Sequence, residues 1–228
     1  MAGQVVKRVQ ERAQNPAPAG DDAEAKAARE NAYRWDALRR KIGKRYADCR
    51  ISNFQLSDDR DTRARQEATT AALRAYGTEI EENVKAGRGI VLDGQPGTGK
   101  DHLLVGLMFR AVSVGLTVEW RNGMDLFGSL RDAITNGTEE RRILDELTHP
   151  DVLVLSDPVP PWGPLTQYQA SFLFRVVDER YRSLRPTWVT TNSPGGDDAN
   201  DRLGPQVVDR LRHGALCLGC SWPSYRAN

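Results

Sequence analysis

The sequence predicts an α/β domain: a parallel sheet flanked by helices, preceded by a short helical extension. Three observations predict it. Apolar runs of five to seven residues alternate with amphipathic helical stretches from about residue 49 onward. One run, DVLVLSD (151–157), is continuously apolar at its centre, as strands buried on both faces are. A glycine-rich turn, GQPGTGKDH (94–102), joins one apolar strand directly to a helix.

The elements follow in order. Residues 1–48 stand apart in composition, with Pro/Ala/Gly/Asp breakers in NPAPAGDDA giving way to a charged, helix-prone run. Trp35, Leu38 and Ile42 form a thin apolar stripe on that run, too narrow to make a core. The segment is therefore expected to be a helical or partly disordered extension. It would either bind a partner or pack loosely on the main domain, residues 49–228. A helix is expected from about Asp61 to Lys85, stopped by the glycines of AGRG. GIVLD (89–93) is the strand that enters the glycine turn. KDHLLVGLMFRAV then places Leu103, Leu104, Leu107, Met108 and Ala111 on one helical face. LTVEW (116–120) is a strand, DLFGSLRDAI (125–134) and EERRILDEL (139–147) are helices, and DVLVLSD is the third strand. A helix over 167–184, the strand TWVTTN (187–192), a short helix in DRLGPQVVDRLRHG and a last strand ALCLG complete the chain.

Composition narrows the function classes. A chain of 228 residues with 28% charged and 39% hydrophobic residues buries one good-sized core. Its net charge of +1 supplies no global field for nucleic acid, so any such contact needs a local patch. The sequence has no apolar run of membrane length, and MAGQVVKRVQERAQNPAPAG lacks a signal peptide's apolar centre. A cytoplasmic protein with three reduced cysteines is expected, with no membrane contact. Cys217 and Cys220 in CLGC read as packing residues: they lie three apart on a strand and have no second pair to complete a zinc site.

The glycine turn matches the phosphate-binding pattern G-x-x-x-x-G-K-[ST] except at its last position. Gly94, Gly97 and Gly99 permit the tight turn that aims backbone N–H groups at phosphate oxygens, and the following helix adds its positive end. The candidate nucleotide-binding segment is Gly94, Gln95, Pro96, Gly97, Thr98, Gly99, Lys100, Asp101 and His102, with Lys100 reaching the terminal phosphates. Asp101 stands where the pattern supplies a hydroxyl to magnesium. A carboxylate about 4 Å from a phosphate charge is repelled by roughly 4 kcal/mol at an effective dielectric of 20, so the site needs an intervening cation.

ATPases with such a loop carry a second acidic element, an apolar strand ending in a metal-shell acid followed by a water-activating acid. In DVLVLSDP, Ser156 falls at the first position and Asp157 at the second. Hydroxyl and carboxylate have then traded places between the loop and the strand, and Asp101, Ser156 and Asp157 are the candidate magnesium-holding residues. Two other readings stay open: independent decay of both positions, or a register one residue later that makes Asp157 the metal-shell acid and leaves Pro158 at the catalytic position.

GQPGTGKDHL, DVLVLSD, RPTWVTTNSP and LGPQVVDRLRHGALCLGCSWPSYR together resemble the DnaC-type helicase loaders and the related IstB-like transposition ATPases of the AAA+ class. The resemblance covers about residues 49–228. It implies an AAA+ phosphate-loop ATPase using ATP and Mg2+, with a replicative helicase or a transposase as partner. It implies Asp157 and Asn192 as water-positioning residues and Arg210 as an arginine finger acting on a neighbouring subunit, hence self-assembly. Arg226 takes the place of a second nucleotide-sensing arginine, while Arg212 reads as a solvated side chain. DLFGSLRDAITNGTEERRILDEL matches the family's helical insertion that touches single-stranded DNA, with Phe127 on a base or sugar face and Arg131 on a phosphate. A nucleotide-gated assembly module that scarcely hydrolyses ATP is the reading from another class.

Overall fold

The structure, a computed structural model, describes residues 19–136, 140–159, 163–192 and 196–226. The tip between the two insertion helices and part of the proline-rich run after Asp157 lie outside the described residues. Its elements are α1 (Ala19–Ile42), a 3-10 turn (Ile51–Asn53), α2 (Arg60–Thr78), α3 (Ile80–Lys85), β1 (Ile90–Asp93), α4 (Lys100–Ser113), β2 (Val118–Asn122), α5 (Gly123–Asn136), α6 (Glu140–Thr148), β3 (Val152–Ser156), α7 (Gln167–Arg182), β4 (Thr187–Thr191), α8 (Gly196–Leu203), α9 (Pro205–Arg212) and β5 (Leu216–Gly219).

The five strands form one parallel sheet in the order β2-β3-β4-β1-β5. Their apolar runs are continuous because alternate residues feed two cores. Ile90, Leu92, Val152, Val154 and Trp188 face α1, α2 and α4 on one side of the sheet. Val91, Leu153, Leu155 and Val189 face α5, α6, α7 and α9 on the other.

Three expectations change. The helix expected over Asp61–Lys85 is two, broken at Glu79 after the weak helix formers Gly77 and Thr78. The single short helix before the last strand is also two, because Gly204 turns at φ 89° and Pro205 starts α9 afresh. The largest change concerns α1, whose Trp35, Leu38 and Ile42 are buried in the same core as Leu103 and Leu107. Arg50 adds its guanidinium over the Phe109 ring (3.7 Å) and the Trp35 ring (5.1 Å), and Lys41 Nζ donates to both Glu119 oxygens on β2 at 2.8 and 2.7 Å. The stripe is thin because it completes a core that others supply. It is no loose tail, and residue 48 does not divide the packing.

Candidate nucleotide site

Parallel register brings the carboxyl ends of four strands into line: Asp93 beside Thr191, Thr190 beside Ser156, and Ser156 beside Asn122. β1 lies between β4 and β5 while its chain continues to β2 at the far edge, so the loop after β1 opens at the crevice where such sheets take ligands. A cleft of about 810 Å³ lies there, lined by loop residues Pro96, Gly97, Gly99, Lys100, Asp101 and His102, by Ser156, Asp157, Thr190 and Asn192, and by Phe54, Tyr225 and Arg226.

Glycine is required in this loop for two distinct reasons. Gly99 sits at φ 88°, and a Cβ there would stand 2.7 Å from the Phe54 ring. Gly94 passes so close to the Cys220 carbonyl that a Cβ would overlap it. The loop's own carbonyls hold the lysine, whose buried Nζ donates to Gly94 O and Gln95 O, each at 2.8 Å. Burial pushes the Lys100 pKa down, and Cys220, Asp101, Asp157 and Asp93 oppose the shift.

Asp101 of the loop and Ser156 at the end of β3 are in contact. Ser156 Oγ donates to Asp101 Oδ1 at 2.8 Å, and Thr190 Oγ1 donates to the same oxygen at 3.1 Å. Thr190 also accepts from the Asp157 N–H at 3.1 Å, and the same N–H reaches Thr190 O at 3.0 Å. That grip turns the backbone off β3, and Asp157 takes a left-handed φ of 47°. Its carboxylate accepts a bond from Asn192 Nδ2. Burial, then the charge of Asp101, raises the Asp157 pKa from its ordinary value, with Lys100 pulling the other way.

The donors suit magnesium chemically: Asp101, Ser156 and Asp157 offer oxygen only, and the two half-buried carboxylates share a surplus of negative charge that a hard cation relieves. The same cleft offers the glycine turn and a buried lysine to phosphates.

The other candidates divide. Arg226 lines the cleft, next to Gly97. His102 lines the same cleft at its rim, its Nε2 2.9 Å from both Arg50 O and Asn53 Oδ1, and it buttresses the 3-10 turn. Arg210 lies outside the cleft, with Nε bonded to Asp178 on α7 at 2.8 Å. Arg212 is solvent-exposed, as expected, and its Nη2 also donates to Asp93, at the root of the glycine loop, at 3.1 Å. Phe127 is only 7% exposed and packs among Leu126, Leu130 and Leu144, so a base contact through it is withdrawn. Helical spacing with Leu126 and Leu130 already placed it on the apolar side. Arg131 lies on the exposed side of α5. Cys217 is exposed and Cys220 buried, its thiol pushed up to about 12 by burial, so the two form no pair.

Sequence reasoning missed Thr190, whose only signal is its place two residues before Asn192. It also missed the carboxyl-terminal strap. Trp222 Nε1 donates to Thr98 O at 2.8 Å, the Tyr225 N–H to Gly97 O at 2.9 Å, and the Tyr225 hydroxyl receives a bond from Gln66 at 2.8 Å.

A five-stranded parallel sheet with this loop at its switch point defines an α/β phosphate-loop domain. The chain belongs to the family described as IstB-like ATP binding protein, whose model matches residues 25–228 and so takes in most of α1. It is similar to the replicative helicase loader DnaC of Escherichia coli strain K12, at 29% identity over 186 residues, which is 80% of this chain and 71% of that protein. Among solved structures it resembles the DnaC helicase loader crystal structure, with TM-score 0.67 and 23% identity over 78% of this chain and 99% of that one. It also resembles AMPPCP-bound DnaA from Aquifex aeolicus, with TM-score 0.60 and 16% identity over 77% and 50% of the two chains. No described helix is long and apolar enough to cross a membrane.

Proposed function

We propose that this ATP-binding protein hydrolyses ATP with magnesium and acts in the cytoplasm as a loader or remodeller of a replicative helicase. The observation that carries the ATPase reading is the 2.8 Å bond from Ser156 to Asp101 beside Lys100. It supports a working exchange of ligands over decay, because both exchanged groups are kept in one bonded cluster. It also favours the register in which Ser156, not Asp157, adjoins the metal.

In this reading the loop amides and Lys100 bind the phosphates, Asp101 and Ser156 hold the magnesium, and Arg226 contacts nucleotide from the tail. Magnesium supplies neutralisation of charge on the phosphate oxygens. Asp157 accepts a proton from the attacking water, and Asn192, bonded to that carboxylate, orients the pair. Thr190 fixes Asp101 by its hydroxyl and Asp157 by its peptide contact. Arg210 acts on the site of a neighbouring copy. The helicase as partner rests on the likeness to DnaC. Single-stranded DNA is the second proposed ligand, met through phosphates by Arg131 and its neighbours on the α5–α6 insertion. A second reading, a helper ATPase for a transposase, rests on the resemblance to the IstB-like proteins.

The test is ATP turnover with magnesium, with and without single-stranded DNA, against Lys100→Ala. Turnover that Lys100→Ala abolishes is expected. Magnesium-dependent ATP binding without turnover would overturn the hydrolysis and leave an ATP-gated assembly module.

A further inference from the structure

Arg210 does not hang in solvent awaiting a neighbour. Its Nε donates to Asp178 Oδ1 on α7 at 2.8 Å, and its Nη1 donates to Gln206 O at 3.2 Å. Its guanidinium carbon stands 4.7 Å from the Phe174 ring centroid and 5.9 Å from that of Tyr181. The carboxylate is shared, since Asp178 Oδ2 accepts from Arg182 Nε at 2.9 Å. Both sides of the Arg210–Asp178 pair are partly buried, at 25% and 21% exposure.

A long arginine side chain has many rotamers, and choosing one at the moment of reaction is unfavourable. Here a carboxylate on its Nε edge and an aromatic surface beneath it make that choice in advance. Two arginines and one carboxylate leave the cluster with a net charge of +1, so the pairing orients Arg210 without cancelling its attraction for an anion. With Nε and one Nη1 hydrogen bonded, the guanidinium still has the second Nη1 hydrogen and both Nη2 hydrogens to present.

We propose that Asp178 is a positioning residue for hydrolysis in the neighbouring copy: it holds Arg210 in the orientation in which the arginine is presented across the subunit boundary. This rests on Arg210 acting in trans, and it assigns to α7 a part in catalysis at a site that α7 does not line.

Subunit mixing tests it. A Lys100→Ala chain cannot use its own ATP but can lend Arg210, and an Arg210→Ala chain has an intact loop but lacks the arginine. Mixed, the two should recover magnesium-dependent turnover. Asp178→Ala is then placed in either partner. In the lending chain it should cut recovered turnover roughly tenfold or more, the scale of releasing an arginine's rotamers. In the receiving chain it should leave recovered turnover unchanged, which also reports that the substituted chain folds and hydrolyses. Asp178→Glu in the lending chain should restore part of the loss. Equal loss in both placements, or none in the lending chain, overturns the positioning role. No recovery in the parent mixture overturns the trans action of Arg210, and the inference falls with it.

Discussion

Exchanging the two ligands back gives the most demanding prediction. Ser156→Asp alone puts a second carboxylate against Asp101, where the serine hydroxyl now bonds at 2.8 Å. With charge centres about 4 Å apart, the repulsion is roughly 4 kcal/mol at an effective dielectric of 20. Protonating one carboxylate at neutral pH gives no escape, since moving an ordinary acid three pH units above its pKa also costs about 4 kcal/mol. Asp101→Thr alone removes the acceptor of the Ser156 and Thr190 hydroxyls, a loss of about 1–3 kcal/mol. Independent effects would sum to about 6 kcal/mol. The double variant, which again has one carboxylate and one facing hydroxyl, should lose less than about 2 kcal/mol, a coupling near 4. Urea unfolding of the four proteins measures this without any assumption about hydrolysis, and ATP turnover on the same samples should follow the same order. A double variant no more stable than Ser156→Asp would refute the exchange.

Three further outcomes are expected. Arg180 is fully buried with its guanidinium on the carbonyls of Leu147, Thr148, Pro150, Asp151 and Pro186, so Arg180→Met should lower stability by about 3–5 kcal/mol in urea titrations. A loss below about 1 kcal/mol would show those carbonyls satisfied otherwise. Trp35→Ala should cost about 3–5 kcal/mol, as for a core aromatic, and a shift within 0.5 kcal/mol, as roughly expected of exposed sites, would return α1 to the status of a loose tail. Iodoacetamide at neutral pH should label the native protein at exposed Cys217 and spare buried Cys49 and Cys220 until it is unfolded; peptide mapping that finds Cys220 modified first would contradict its burial.

Local chemistry made much of this chain legible. The sheet could be read because each central strand feeds two cores, which turns its burial into an unbroken apolar run such as Val152–Leu155. The glycine loop could be read because only glycine tolerates its turns and close approaches. The apposition of Asp101 and Ser156 could be inferred because Asp101 opens the helix after β1 and Ser156 ends β3, both at the carboxyl ends of parallel strands, and the structure gives the bond itself.

Contacts made across the fold were not legible in the same way. Thr190 grips Asp101 from β4, and Arg212 reaches back to Asp93, over sequence separations of 89 and 119 residues. Phe127 and α1 were misjudged for one reason: an apolar residue on a helix announces burial but not what covers it. By itself, then, the sequence determined the strands, the phosphate loop and the nearness of Asp101 to Ser156, since backbone geometry and side-chain alternation act over a few residues. The tertiary structure alone decided that α1 completes the core, that Phe127 is enclosed and that Arg210 is held by Asp178. Those outcomes depend on which surfaces meet, and surfaces meet only when the whole chain has folded.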